Sequence, residues 1–201
     1  MNIELLSYYV TGFAFFGVIV CWFIFAGTFL LRKKPAASPD KVKMPRSFWG
    51  IALQGVGFGM VWALHRTPFL SPFVDNFAVN IVLQVFALAL SITSVILTMS
   101  AVRELGKQWS LQARLVEDHE LVTSGVYGIV RHPIYTAMLG SLVATGIVLS
   151  HWLILPIAIL IFLIGTTVRT RIEERLLAGA FGEKFENWKS RVPGLIPGLR
   201  L

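Results

Sequence analysis

The sequence predicts an all-α fold: a polytopic membrane helix bundle of about five transmembrane helices with a small cytoplasmic C-terminal cap. Three observations predict it. Of the 201 residues, 55% are hydrophobic and only 14% are charged, which gives a mean hydropathy of +0.70. The apolar residues come in long blocks rather than at amphipathic spacing, the composition of a chain that spans a bilayer and not of a soluble domain. The basic residues gather beside particular blocks, as the positive-inside rule requires of a chain with a fixed orientation.

A span needs about 20 apolar residues to cross roughly 30 Å of hydrocarbon. The first runs from about Tyr8 to Leu31. It is too long for a signal peptide and lacks the basic start and small-residue cleavage site of one, so it reads as a retained span. The second, from about Phe48 to Leu64, is short and glycine-rich. Its Gly50, Gly55, Gly57 and Gly59 would let another helix approach closely, within the chain or from a partner copy. The third runs from about Phe77 to Val102. The last apolar region, Ile134 to Val168, is too long for one crossing and carries Ser150-His151-Trp152 near its middle. It predicts two spans joined by a tight turn, with Pro133 at the first helical position of the fourth and Pro156 in the first turn of the fifth.

Five spans place the chain ends on opposite faces. Residues 32–46 hold Arg32, Lys33, Lys34, Lys41, Lys43 and Arg46, whereas residues 65–76 hold only Arg66. The first loop is therefore expected in the cytoplasm, the amino terminus outside and the carboxyl terminus inside. Arg103, Lys107, Arg114 and Arg131 before the fourth span, and Arg169 onward after the fifth, agree, so all but one of the 18 Lys and Arg fall on the cytoplasmic side. This asymmetry accounts for the net charge of +7 and the pI near 9.9 without a nucleic-acid partner. The single cysteine, Cys21, lies inside the first span, which excludes an internal disulfide and a cysteine zinc cluster; no metal is expected. Lys33 to Pro45 reads as a short loop. Residues 1–102 form three N-terminal spans, and residues 103–201 form a cofactor-binding region that includes spans four and five.

Two polar segments, 103–132 and 169–201, border the last two spans and are expected to meet in one site at the membrane surface. Arg131, His132, Pro133 and Tyr135 lie together at the start of a predicted helix. The unpaired amides and positive dipole end there suit a carboxylate or phosphate. Arg169 and Glu173 are four apart and share a helix face, either as a surface ion pair or as an anchoring pair in a pocket; their place at the interface favours the pocket. Leu176, Leu177, Phe181, Phe185 and Trp188 recur at helical spacing around a Gly182 interruption. Glu104, Glu117, Asp118 and Glu174 read as solvated charges, and Trp109, Trp152 and Trp188 as aromatic anchors at the interface.

The stretch HELVTSGVYGIVRHPIY, followed some forty residues later by EERLLAGAFGEKFENWKSRVPGLIP, resembles the isoprenylcysteine carboxyl methyltransferase and phospholipid methyltransferase group of integral membrane enzymes. The resemblance covers residues 103–197, and the first three spans share only hydrophobicity with the group. It implies S-adenosylmethionine as cofactor, in a cytoplasmic pocket lined by Gln112, by His119, Glu120, Leu121 and Val122, by Tyr127, by His132, Pro133, Ile134 and Tyr135, and by Glu173. It also implies that Arg169 meets the methyl acceptor, and Arg169 together with the closing Arg191 to Pro197 segment makes the likeness strongest to the carboxyl methyltransferases. The cofactor's charges fit these residues. Glu173 supplies an anion for the sulfonium and amino groups, and His132, Arg131 or the helix amides supply donors for the carboxylate. Arg169 and Glu173 are thus the expected catalytic pair, with Arg169 on the substrate.

The acceptor is expected to be a lipophilic small molecule or lipid-linked group reached from the membrane lipids. A carboxylate, an amine and a thiol all remain open. A carboxylate is already ionised at pH 7 and needs no base; an amine or thiol would call on His119, Glu173 or Glu174. Two other readings compete. An NADPH-dependent sterol-type reductase would need further basic residues for the 2′-phosphate, and the Glu-Glu-x-x-Leu element with HELVTSG favours methyl transfer. A transporter would place ionisable groups at mid-membrane, where this sequence has almost none.

Overall fold

A computed structural model describes residues 3–31, 40–44, 47–67, 76–111, 114–116 and 120–199. Among them are six helices: α1 (Ile3–Leu30), α2 (Ser47–Ala63), α3 (Phe77–Leu105), α4 (Pro133–Leu149), α5 (Ile154–Phe181) and α6 (Glu183–Arg191). Two short strands, β1 (Asp40–Lys43) and β2 (Arg114–Val116), pair antiparallel. By length and composition α1, α3 and α5 are able to cross a membrane, and α4 is a shorter apolar helix of 17 residues.

The helices begin and end where their local chemistry dictates. Asn76 caps α3 by accepting from the Val79 amide at 3.2 Å. Pro133 occupies the first turn of α4, where its missing N–H costs nothing. The fifth predicted span does not stop at Val168. Nothing in residues 169–181 breaks a helix, so α5 runs on to Gly182, whose φ of +50° ends it. The cations and carboxylates of this region therefore stand on the same continuous helix as the apolar segment before them.

Loop contacts fix the helix directions. β1, which follows α1, pairs with β2, which follows α3; at the other end His65, after α2, bridges to Ser150, after α4. Successive helices thus run in opposite directions. The β1 and β2 pair corrects the sequence reading of Lys33 to Pro45 as a plain loop, and it adds the segment after α1 to the two polar segments expected to meet at this end. At the opposite end Arg66 caps α4: Nη1 donates to Ser150 O at 2.5 Å, and Nη2 donates to Ile147 O at 2.7 Å and Val148 O at 2.9 Å. Burial pulls its guanidinium down to about 10, still fully charged at neutral pH.

α3 packs between α1 and α4, and α2 packs chiefly on α5. Of the four glycines singled out in α2, only Gly50 and Gly57 face a helix. A Cβ at Gly50 would meet the Arg169 stem and Gly165 O, and one at Gly57 would lie 2.8 Å from Ala158 O, whereas Gly55 and Gly59 have nothing within 4 Å. The intramolecular α2 to α5 contact thus uses the glycine face that sequence left equally open to a partner. Gly165→Leu is expected to lower the thermal midpoint of the detergent-solubilised protein by several degrees, because overpacking costs about 1–3 kcal/mol. Gly59→Leu serves as the control, and equal midpoints for the two variants would contradict the close packing.

The outward faces carry large apolar side chains: Phe13 and Phe23 of α1 are 73% and 74% exposed, and Val82 and Leu160 are 66% and 60% exposed. A belt of this kind is matched by lipid and not by water. The buried polar groups instead face neighbouring helices. Asn80 Nδ2 of α3 donates to Ser7 O of α1 at 3.4 Å, and Trp22 Nε1 of α1 donates to Thr145 Oγ1 of α4 at 2.9 Å. Such internal pairing is what a hydrocarbon solvent demands.

Candidate active site

The site is assembled on the amino end of α4. The Arg131 and His132 amides donate to Pro193 O at 2.8 Å and Gly194 O at 3.0 Å, and Thr136 Oγ1 donates to Leu195 O at 2.6 Å. The segment after α6 is thereby strapped across the start of α4. Arg131 locks the strap. Its Nε donates to Glu174 Oε1 at 3.0 Å and its Nη1 to Lys189 O at 3.1 Å and to Val192 O. Lys189 Nζ reaches Glu174 Oε2 at 2.9 Å. Glu174 is therefore a half-buried clasp and not the solvated charge expected from sequence, and the donors of Arg131 hold protein more than they offer a ligand.

The His132 ring lies between the two adjacent glutamates. Its Nε2 is 3.2 Å from Glu174 Oε1, and its Nδ1 is 3.7 Å from Glu173 Oε2. It stacks on Tyr135 at 5.8 Å between ring centres. The Tyr135 hydroxyl donates to Glu173 Oε1 and accepts from Arg169 Nε at 2.7 Å. Arg169 Nη2 donates to Leu111 O at 2.7 Å and lies 3.4 Å from Glu173 Oε1. Arg169 is only 5% exposed, so its pair with Glu173 lies in a cavity wall and not on the surface. Among the described residues its Nη1 has no partner, so one edge of the fork stays available to a ligand.

The loop before α4 is pinned from behind. The Val126 amide donates to Glu104 Oε1 at 3.3 Å, and a Cβ on Gly125, whose φ is +55°, would run into the same carboxylate. Glu104 is thus a second charge that packs inward. Trp188 Nε1 donates to Tyr127 O at 3.1 Å, which makes Trp188 a buried wall and not an interfacial anchor; Trp152 is 71% exposed at the α4 to α5 turn. Burial, with the Glu173 and then the Glu104 charge, pushes the Tyr127 phenol well above its ordinary value, so it stays a neutral donor.

Arg169, Glu173, Tyr135, His132, Tyr127 and Trp188 border one cavity of about 620 Å³, within the usual size of small-molecule sites. Every described residue of the predicted set borders it: residues 120–122, Tyr127, residues 131–135, Arg169 and Glu173. Gln112 and His119 lie outside the described residues, as do Glu117 and Asp118. Sequence reasoning missed the other half of the wall, contributed by Phe25 and Phe29 of α1, Ile51, Gln54 and Phe58 of α2, and Trp109. Trp109 sits 5.1 Å from Phe29 and lines the cavity rather than anchoring the surface. Only Gln54, a primary amide inside an apolar span, carried a signal that pointed here. The cavity is polar at the α4 end, where Glu173 suits a cation and the amides of the first turn suit an anion, and apolar between α1 and α2. Among the described residues no group of His, Cys, Asp or Glu gathers to hold a metal ion.

The profile described as phospholipid methyltransferase matches residues 82–184, slightly more than half of the chain. The chain belongs to the phospholipid methyltransferase family. Among its curated relatives, protein-S-isoprenylcysteine O-methyltransferase B of Arabidopsis thaliana is 32% identical over 118 residues, 56% of this chain and 58% of that protein. The protein-S-isoprenylcysteine O-methyltransferase of Schizosaccharomyces pombe is 30% identical over 145 residues, 71% of this chain and 60% of that protein. Methanethiol S-methyltransferase of Pseudomonas deceptionensis is 34% identical over 83 residues, 41% of this chain and 30% of that protein. The chain spans about three fifths of the length of the first two relatives. The family match takes in most of the strapped site, from α3 through the clasp residues Arg131 and Glu174, and stops before Lys189 and the strap itself.

Proposed function

We propose that the chain is an integral-membrane, S-adenosylmethionine-dependent methyltransferase of a lipophilic acceptor, and that carboxylate O-methylation of the isoprenylcysteine type suits its site best. The observation that carries this reading is the buried Arg169, Tyr135 and Glu173 relay at the junction of the polar and apolar parts of the cavity. Family membership favours methyl transfer over the reductase reading. Ionisable side chains gathered at one end of the bundle speak against a transporter.

In this reading α1 to α5 all cross the bilayer, with the amino terminus outside and the polar end cytoplasmic. Residues 103–201 serve the cofactor, and the first three spans serve the acceptor's tail. The residues fit the cofactor. Glu173 keeps one oxygen for a cation, His132 and the first-turn amides of α4 suit the cofactor carboxylate, and residues 120–122, Tyr127 and Trp188 offer a flat, partly apolar wall for the purine. When bound, the cofactor supplies an electrophilic methyl group. Arg169 Nη1 holds an acceptor carboxylate in register through charge-assisted bonds, and the aromatic wall of α1 and α2 excludes water. Much of the rate then comes from alignment. A carboxylate needs no proton removed, in keeping with a Glu174 whose oxygens are already engaged by Arg131, His132 and Lys189.

The methanethiol S-methyltransferase relative makes a lipophilic thiol the second reading. Calorimetry on the detergent-purified protein is expected to give micromolar S-adenosylmethionine binding and none for NADPH, a range common for enzyme ligands at about 1 μM to 1 mM. Labelled methyl transfer to an S-prenylated cysteine derivative and to a long-chain alkanethiol then separates the acceptors. Absence of cofactor binding would overturn the proposal, and methylation of the thiol alone would replace the carboxylate.

A further inference from the structure

The outward stripe of α5 ends in two arginines. Ile157, Leu160 and Ile164 are 47%, 60% and 49% exposed. With Thr167, Arg171 and Arg175 they recur at steps of three and four, which places all six along one side of the helix. Arg171 and Arg175 are exposed, and among the described residues neither has a hydrogen-bond or ion-pair partner. Their neighbours in sequence turn the other way. Arg169 is buried and bonds the Tyr135 hydroxyl and Leu111 O, and Glu174 is taken by Arg131, His132 and Lys189.

Neither arginine serves its own helix in the usual way. A cation in the last turn complements the helix dipole, as Arg103 does in α3, but the last turn of α5 holds none, and Arg175 lies more than a turn before its end at Phe181. A cation three or four residues from a carboxylate forms a surface pair, but Glu174, three after Arg171, is engaged elsewhere. The two arginines are instead spaced four apart from each other, a like-charge spacing that costs stability unless an anion lies between them.

Depth selects that anion. The apolar stretch of α5 ends at Val168, and from there Arg171 rises about 4.5 Å and Arg175 about 10.5 Å along the helix. The headgroup layer is roughly 5–8 Å thick on each side of the hydrocarbon, and helical side chains lean toward the amino end of their helix, here back toward the bilayer. Both guanidiniums therefore reach the level of lipid phosphates, whose oxygens they can pair through two parallel bonds.

We infer that Arg171 and Arg175 form a binding site for the headgroup of an anionic glycerophospholipid on the outward face of α5. The inference rests on α5 crossing the bilayer, as proposed above. The site faces away from Arg169 and Glu173, so the lipid is a bound partner and not a methyl acceptor. Holding it fixes the polar end of α5, and with it one wall of the cavity, at headgroup depth.

The test titrates the detergent-purified protein with phosphatidylglycerol and with phosphatidylcholine and counts bound lipid by native mass spectrometry. The wild type is expected to retain phosphatidylglycerol about tenfold more readily, and Arg171→Gln combined with Arg175→Gln to bring the two lipids within about twofold of each other. Arg103→Gln combined with Lys107→Gln removes the same charge from the end of α3 and should leave the preference in place. S-adenosylmethionine affinity reports folding, and should the α5 double variant lose it, each single variant is read in the same way. An unchanged preference in the α5 variant, or an equal fall in the α3 variant, would overturn the inference and leave Arg171 and Arg175 as interfacial cations with no lipid of their own. Displacement of the lipid by glycerol 3-phosphate would overturn it in favour of a soluble phosphate ligand. A wild-type protein released from membranes by alkaline carbonate would instead bring down the membrane reading, and this inference with it.

Discussion

Arg169→Met is expected to lower turnover of a carboxylate acceptor by about 10²- to 10³-fold, the usual cost of removing a preorganised donor aimed at reacting charge. Methionine keeps an unbranched stem to lie along Gly50, so the α2 to α5 packing survives. What is lost is the fork. Its Nε holds the Tyr135 hydroxyl at 2.7 Å, its Nη2 holds Leu111 O at 2.7 Å, and the residue borders the cavity. Cofactor affinity should change by less than about tenfold, because Glu173 keeps its charge and its bond from Tyr135 and loses only a long 3.4 Å contact. Arg169→Lys retains the charge but not the paired geometry and is expected to recover only part of the rate. Single-turnover methyl transfer with saturating cofactor measures both variants. Unchanged turnover in Arg169→Met would make the residue a packing and interfacial cation.

Glu173→Gln is expected to weaken S-adenosylmethionine binding by about 10- to 100-fold, since bonds to charged groups contribute roughly 1.5–3 kcal/mol. Two effects act in one direction. The variant removes the negative charge that matches a sulfonium and an amino group, and it leaves Arg169, 3.4 Å away, without its counter-ion. Tyr135→Phe separates charge from positioning: it removes the hydroxyl that links Arg169 to Glu173 and leaves both charges in place, so its effect on affinity should be several-fold smaller. Calorimetry with the cofactor and with its demethylated product is the measurement. A Glu173→Gln protein that binds the cofactor as tightly as the wild type would take Glu173 out of the site.

The helices and the end at which the polar residues gather were legible because both are local properties. A run of about 20 apolar residues has one stable state in hydrocarbon, Pro133 starts a helix by its fixed φ, and Gly182 breaks one by adopting a φ of +50°. The spacing of Arg169 and Glu173 foretold their shared face, and the predicted residues 120–122, Tyr127 and 131–135 do border one cavity.

Which face of each span turns inward was far less visible. In water an apolar stripe marks the core, but lipid is as apolar as the interior of a bundle, so hydrophobicity does not separate the two faces. The signal lies in small and polar residues. In α3 the buried side is Asn80, Gln84, Ala87, Ser91, Ser94, Thr98 and Ala101, at alternating steps of four and three, while Val82 and Ile96 face outward. Glu174 and Glu104 misled for a related reason. Their surroundings come from segments far along the chain, Arg131 for the first and Gly125 and Val126 for the second, and neither contact leaves a mark in the adjacent sequence.

The sequence by itself therefore determined an apolar helical chain, the start of α4 at Pro133, the break at Gly182 and the motif that faces one cavity. Tertiary structure alone decided that α1 and α2 complete that cavity, that Gly50 and Gly57 meet α5 while Gly55 and Gly59 do not, and that Gln54 bonds Thr166. The reason is physical. Helix formation in an apolar solvent is settled by each segment's own hydrogen bonds, whereas the rotation of one helix against another is settled by contacts between residues more than a hundred positions apart, as in the Gln54 to Thr166 bond.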